Sequence, residues 1–450
     1  MKWKRYPEYK DSGIELLGDV PEHWEVAPIR SFARTGYKTF TDGDWIESPY
    51  IRDEGIRLIQ TGNIGIGSYR EQGFRYIDDK TFHELRCTEI LPGDVLICRL
   101  ADPVGRACLA PDLGTRMITS VDVCILKAAD DVDPGFVVYA MSGENYLAWM
   151  SATCRGGTRD RVSRSMLGSV RVIVPPSNEQ KPIAAFLDRE TERIDTLITK
   201  KERQIELLQE KRTALISHAV TKGLNPDVKM KDSGIDWLGK IPDHWEILSI
   251  KRITSVPITD GPHETPKLLD EGIPFISAEA IKNDKIDFAK MRGFISLENH
   301  ANFSRKYKPR RGDIYLIKSG ATTGNVAFVD TDDEFNIWSP LAAIRPDPKK
   351  AITPFVFFFM KSKNFFQSIE LGWSYGTQQN IGMNVIENIP IALPPLEEQE
   401  SIAALLNANI IQIDEIASKV ENSIDLLHEY RTALISAAVT GKIDVRKEVA

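Results

Sequence analysis

The stretch Val174–Leu224, VPPSNEQKPIAAFLDRETERIDTLITKKERQIELLQEKRTALISHAVTKGL, decides how the rest of the chain is organised. It recurs without a gap at Leu393–Ile443 as LPPLEEQESIAALLNANIIQIDEIASKVENSIDLLHEYRTALISAAVTGKI, 219 residues on (174 to 393). Pro175/Pro394, Gln180/Gln399, Asp195/Asp414, Leu208/Leu427 and the block RTALIS (Arg212–Ser217 and Arg431–Ser436) are identical. Each copy reads as one long helix. Paired prolines stand before the entry, Ser177 and Gln180 have capping-box spacing in the first copy, and Gly223 and Gly441 mark the ends. Between these signals the apolar positions step by four and three. They are Leu187, Ile194, Ile198, Ile205, Leu208, Leu215 and Ala219 in copy one, interrupted by Thr191, Lys201 and Arg212. In copy two they are Leu406, Ile410, Ile413, Ala417, Val420, Ile424, Leu427, Leu434 and Ala438, interrupted by Arg431. That is a heptad seam, and two seams of equal length predict that the copies pair with each other. The alternative is two separate amphipathic helices, each packed on its own domain. From Leu187 to Ala219 the rod would be about 50 Å long at about 1.5 Å per residue. Arg212 and Arg431 share one seam position, where an arginine would fix register or reach a partner protein.

At 450 residues the chain is expected to form two to three domains. No apolar run reaches membrane-spanning length; FVFFFM (Phe355–Met360) reads as a buried strand or helix segment. The start, Met1-Lys2-Trp3-Lys4-Arg5, has no apolar core behind it and predicts no signal peptide. Five cysteines, all in the first half and none closely paired, suit a reducing cytosol and argue against a disulfide or zinc framework. The net charge of −7 taken alone counts against nucleic-acid binding, but charge is unevenly placed. Arg155–Arg171 holds five arginines against Asp160, and Arg305–Arg311 holds five basic residues in seven. Local basic patches are the electrostatic footprint of such binding.

A second repeat lies upstream of each helix. KDSGIELLGDVPEHWEV (Lys10–Val26) returns as KDSGIDWLGKIPDHWEI (Lys231–Ile247), and Trp24 and Trp245 are expected to anchor a domain on its helix, with His23 and His244 structural. Between motif and helix lie Ala27–Ile173 and Leu248–Ala392, weakly but collinearly similar. Asp42-Gly43 matches Asp260-Gly261, DEGIRLI (Asp53–Ile59) matches DEGIPFI (Asp270–Ile276), and GDVLICR (Gly93–Arg99) matches GDIYLIK (Gly312–Lys318). Short apolar runs bounded by Gly, Asp and Pro read as strands, and PGFVVYAMSGENYLAWM and TPFVFFFMKSKNFFQSI each read as a helix, with a strand before it as an option. The expected division is 1–173, a first mixed α and β domain; 174–224, helix; 225–392, a second domain; 393–443, helix; and 444–450, a tail. Preserved scaffolding with diverged loops implies one task carried out twice on different targets.

Catalytic constellations are absent from the sequence. There is no phosphate-binding loop, dinucleotide fingerprint or zinc spacing, and the proline pairs lack the residues of an amino-methyltransferase motif. Asp94 and Asp313 follow glycine and read as turn residues. Polar and basic loops remain. RGGTRDRVSR (Arg155–Arg164, including Thr158, Arg159 and Arg161) is equivalent to YGTQQNIGMN (Tyr375–Asn384, including Thr377, Gln378, Gln379 and Asn380). RLADPVGR, from Arg99 to Arg106, aligns with KSGATTGN, which holds Lys318, Ser319, Thr322, Thr323 and Asn325. Arginine suits guanine edges and phosphates, and Gln and Asn suit adenine edges.

These stretches, with TDGPHETP (Thr259–Pro266, including His263), RGDIYLIKSGATTGNVA (Arg311–Ala327) and LPPLEEQESIAALL, resemble the specificity subunit of type I restriction-modification systems over essentially the whole chain. The first copy departs at TDGDWIESP and RLADPVGRA, so its domain should read a different sequence. The resemblance implies an α+β fold: two mixed α/β target recognition domains separated by two long antiparallel coiled-coil helices, an internal pseudo-twofold repeat. It implies binding to double-stranded DNA with a bipartite target, two modification (methyltransferase) subunits and restriction subunits as partners, and a cytoplasmic, non-membrane location. It implies no cofactor on this chain, with S-adenosylmethionine, ATP and Mg on the partners. The alternatives are a type IIB-like specificity subunit and a coiled-coil scaffold that reads no DNA.

Overall fold

The computed structural model describes residues 3–14, 17–154, 160–372 and 380–448. The chain forms two compact units: Met1–Lys201 with Asn422–Ala450, and Glu202–Glu421. Each holds one mixed domain and parts of both long helices, Ser177–Lys222 and Leu396–Val439.

In the first unit a four-stranded antiparallel sheet runs in the order Phe40–Asp42, Val123–Leu126, Val95–Cys98, Ala107–Leu109. A three-stranded sheet places Ile56–Ile59 between antiparallel Tyr76–Ile77 and parallel Met117–Thr119. The second unit has the same order: Thr259–Asp260, Leu341–Ile344, Ile314–Ile317, Val326–Phe328, and then Ile273–Ile276 between Gly293–Ile295 and Asn336–Ile337. The unbroken apolar strands VLIC and IYLI are buried throughout. Alternate side chains serve opposite faces, so Val95 and Ile97 join one core while Leu96 and Cys98 join another. Ile314/Leu316 and Tyr315/Ile317 divide in the same way.

The Gly-Asp turns before these strands form as expected. Asp94 accepts from Leu91 N at 2.9 Å and pairs with Lys127 at 2.5 Å. Asp313 accepts from Arg310 N at 2.8 Å and takes Arg345 at 2.5 and 2.7 Å. The long apolar segments become two helices each, Pro134–Ala140 with Glu144–Thr153 and Thr353–Met360 with Lys363–Leu371, and no strand precedes them. All five cysteines are free. Burial pushes the thiols of Cys108 and Cys124 up to about 12, which suits inert core residues.

The heptad seam is the buried face of each helix. In the first unit Ile183, Leu187, Ile194 and Ile198 pack with Leu434, Ala438 and Val439, and in the second Ile216, Ala219 and Val220 pack with Ile402, Leu406 and Ile410. Ion pairs show the direction. Glu179 meets Arg446 and Asp195 meets Arg431 at 3.0 Å in one unit, and Arg212 meets Asp414 at 3.6 Å in the other. In each unit the start of one helix also lies beside the end of the other, Glu179 and Gly441 on Trp24 and Glu398 beside Gly223, so the pairing within each unit is antiparallel. The seam arginines therefore fix register through the aspartates shared by both copies.

The proposed capping box does not form. Gln180 instead donates to Pro175 O and accepts from Asp133 N, and Gln399 likewise bonds Pro394 O and Ile352 N. These buried amides clamp each domain to its helix start. Glu179 makes a second clamp: Trp24 Nε1 at 3.1 Å, Tyr6 Oη at 3.0 Å and His23 Nε2 at 2.7 Å. Glu398 repeats it with Trp245 at 3.1 Å and His244 at 2.8 Å. Gly441, at φ +70°, closes the other helix against Trp24, and a Cβ there would lie 2.4 Å from Pro21.

Glu179 is buried, whereas Glu398 is half-buried and holds fewer donors. We predict that Glu179→Ala destabilises the first unit by about 2–4 kcal/mol, because it strands the buried Tyr6 and Trp24 donors. Glu398→Ala should cost about 1–2 kcal/mol. Urea unfolding followed by tryptophan fluorescence checks the order, and equal losses would contradict it.

Candidate nucleic-acid interface

The loops singled out by sequence meet at the end of the central strand of each domain. After Val95–Cys98 the chain passes through Arg99 to Arg106, and Val162 N donates to Arg99 O at 3.0 Å while Ala101 N donates to Asp160 O at 3.0 Å. After Ile314–Ile317 the matching bond runs from Ile381 N to Lys318 O at 2.8 Å, and Asn380 bridges Ser319. The equivalent loop pairs are thus stitched in the same way in both units. Arg155, Thr158, Arg159, Thr377, Gln378 and Gln379 lie outside the described residues.

The cations at the strand ends are buried rather than presented. Arg99 is 5% exposed and Lys318 9%. Arg99 donates to Val121 O and Val162 O, and its Nε lies 3.1 Å from Asp42 without hydrogen-bond alignment. Lys318 Nζ lies 3.2 Å from Asp260, the aspartate of the matching Asp-Gly pair. The glycine beside each is required by close backbone approach, since a Cβ at Gly43 would lie 2.4 Å from Ser120 O and one at Gly261 only 1.9 Å from Ile337 O. Arg106, expected at the surface, is 7% exposed and donates to four carbonyls, those of Thr61, Ile64, Leu100 and Pro103. These three cations shape the loops from within. A cation just after a strand reads as surface in a sequence, and only its distant carboxylate shows otherwise.

Other residues stay at the surface. Arg161 and Arg164 are exposed, lying 2.7 Å from Asp122 and 3.8 Å from Asp42. Thr322, Asn325 and Asn380 are exposed, Ser319 and Thr323 half-buried, and Thr323 Oγ1 donates to Gly320 O. His263 is exposed, 3.3 Å from Asp260. The Arg305–Arg311 run is not a free patch. Lys306 bonds Asp260 at 2.7 Å, Lys308 bonds Glu334 at 2.5 Å and Arg311 bonds Asp332 at 2.9 Å. Sequence reading missed Lys306 as a partner of Asp260.

Burial works to raise the Asp260 pKa, but the hydrogen bonds and charges of Lys306 and Lys318 outweigh it and hold the carboxyl below its ordinary value. A folded pKa below the unfolded value of about 3.9 stabilises the protein fully above that pH. The contribution is lost as pH falls through the lowered folded pKa. Asp260→Asn is therefore predicted to lower the unfolding midpoint at pH 6, with the difference from the unsubstituted chain shrinking below about pH 4. A pH-independent difference in thermal scans would contradict this.

Residues 38–207 and 242–426 match the type I restriction modification DNA specificity domain, once per domain. The chain is 24% identical over 449 residues to the type I restriction enzyme MjaVIII specificity subunit of Methanocaldococcus jannaschii, covering 97% of each. It is 20% identical over 436 residues to the EcoKI specificity subunit of Escherichia coli, covering 95% of this chain and 90% of that one. A solved chain from a study of complex assembly in the type I restriction-modification system has the same fold, with TM-score 0.72 and 17% identity over 94% of this chain and 99% of that one. The HsdS subunit of Thermoanaerobacter tengcongensis follows at TM-score 0.53 and 15% identity, over 94% and 98%. Two matched domains, each with its stitched loop pair and its clamp on a long helix, place the chain in the type I restriction-modification DNA specificity family, as a specificity subunit that recognises a DNA target.

Proposed function

We propose that this chain is a non-catalytic reader, in which each domain recognises one half of a split target in double-stranded DNA through its stitched loop pair. The duplication of that loop pair at equivalent strand ends carries the reading. Arg161 and Arg164 serve the first half-site, and Ser319, Thr322, Asn325 and Asn380 the second, together with the arginines and glutamines of Arg155–Arg159 and Thr377–Gln379. Arg99, Arg106 and Lys318 act beneath them as supports. The partners are two modification subunits, which methylate adenine, and restriction subunits. S-adenosylmethionine, ATP and Mg belong to those partners, and the assembly works in the cytoplasm. Among the described residues no helix is long and apolar enough to cross a membrane.

Methylation mapping of cells with and without this chain tests the reading. A bipartite methylated motif should be present only with it, and an unchanged methylome would overturn the proposal. The purified chain alone should show no methyltransferase, nuclease or ATPase turnover. Alanine at Arg161 or Arg164 should cost about 1–3 kcal/mol of binding if the side chain reads a base, and relax one position of the first half-site. Full retention of that half-site by the doubly substituted chain would remove both from the interface.

A further inference from the structure

The two domains differ where the strand-end loop faces the hairpin that follows the central strand of the three-stranded sheet. In the first domain the Arg106 guanidinium fills this space, held by the carbonyls of Thr61, Ile64, Leu100 and Pro103. Asn325 replaces it in the second. Ala278, Ile281, Ser319 and Thr322, the equivalents of its four carbonyl partners, line an open groove of about 1050 Å³ together with Asn325.

The hairpins are equally long but differ in charge. Residues 65–68 of the first domain are GIGS, and residues 282–285 of the second are KNDK. Lys282 and Lys285 are direct cross-strand partners, an arrangement of like charges that is unfavourable by itself. Lys282 and Lys290 line the groove, both are exposed, and neither forms an ion pair among the described residues. Of the two acids in the lining, one is already engaged. Asp284 is paired with Lys361 and, at 3.0 Å, with Arg212. Glu279 is exposed and forms no ion pair among the described residues, so the groove lining carries Lys282, Lys290 and Lys361 against Glu279 and Asp284, an excess of positive charge. What remains is a polar cleft with unneutralised ammonium groups on its rim, hydroxyls on one wall and room for a sugar-phosphate strand.

We propose that this groove takes the DNA backbone of the second half-site, with Lys282 and Lys290 on phosphates, and that the first domain, plugged by Arg106, makes no equivalent contact. The proposal rests on the DNA-reading function above and makes the two half-sites unequal in their electrostatic share of binding. Lys282 and Lys285, opposed without a neutralising partner, are relieved by an anion laid across the hairpin.

The test uses the full chain assembled with its modification subunits and a duplex carrying the motif that this assembly methylates. Binding is measured across a KCl series. Lys282→Ala/Lys290→Ala should reduce the slope of log affinity against log salt by about two, with base preference unchanged. Asn325→Arg separates groove filling from charge. If charge alone matters, the added arginine tightens binding. If the backbone enters the groove, an arginine seated on the four carbonyls weakens binding by about tenfold beyond Asn325→Ala, which removes any contact of Asn325 itself, while thermal stability is retained. An undiminished slope in the lysine variant, or tighter binding by Asn325→Arg, overturns the groove assignment and leaves DNA reading intact. Weakened subunit assembly with an unchanged slope also overturns it, giving the groove to a protein. An unsubstituted assembly that selects no motif overturns the functional reading itself.

Discussion

One carboxylate at the start of each long helix ties together pieces of chain that are far apart in sequence. Glu179 holds Tyr6, His23 and Trp24, and Glu398 holds His244 and Trp245. Beside each tryptophan, a glycine in the left-handed region ends the other long helix. A helix start, a helix end and a domain entry therefore converge at one point in each unit. Buried donors left without that carboxylate would carry a desolvation penalty larger than most single contacts supply.

The antiparallel seam adds the second constraint. Leucine and isoleucine supply the area, but a seam of similar apolar residues tolerates slippage by a heptad. Asp195–Arg431 and Arg212–Asp414 oppose it, since a shift of seven residues would part both pairs. These aspartates and arginines are among the identities common to the two copies, and one geometric requirement accounts for all four.

Much of this was legible in the sequence because periodicity and turn chemistry are local. The seam, the Gly223 and Gly441 ends, the Gly-Asp turns at Asp94 and Asp313, and the tryptophan anchors follow from spacing alone. What was not legible depends on partners distant in sequence. Arg99, Arg106 and Lys318 look like surface cations until Asp42, Asp260 and a set of backbone carbonyls surround them. Gln180 has the spacing of a cap but is drawn to Pro175 and Asp133 instead. The Arg305–Arg311 run looks like a free patch, yet acids from elsewhere in the domain neutralise three of its side chains. The apolar run at Thr353–Met360 left strand and helix open because burial on every side erases periodicity. In the strand-end loops, sequence paired the equivalent segments but gave no sign of which of their cations lie buried.

The central claim is that the loops of each domain carry half of the recognition, on a frame that the helices and their carboxylate clamps hold in common. Exchange of one domain for the corresponding domain of a relative with a different target tests this most directly. The junctions should lie in the first domain's short strands Glu25–Pro28 and Arg171–Val174, which pair with each other. Methylation sequencing of cells carrying the hybrid should then reveal a motif with one new half and the other half unchanged. A hybrid that retains the original motif, or changes both halves together, would contradict the account.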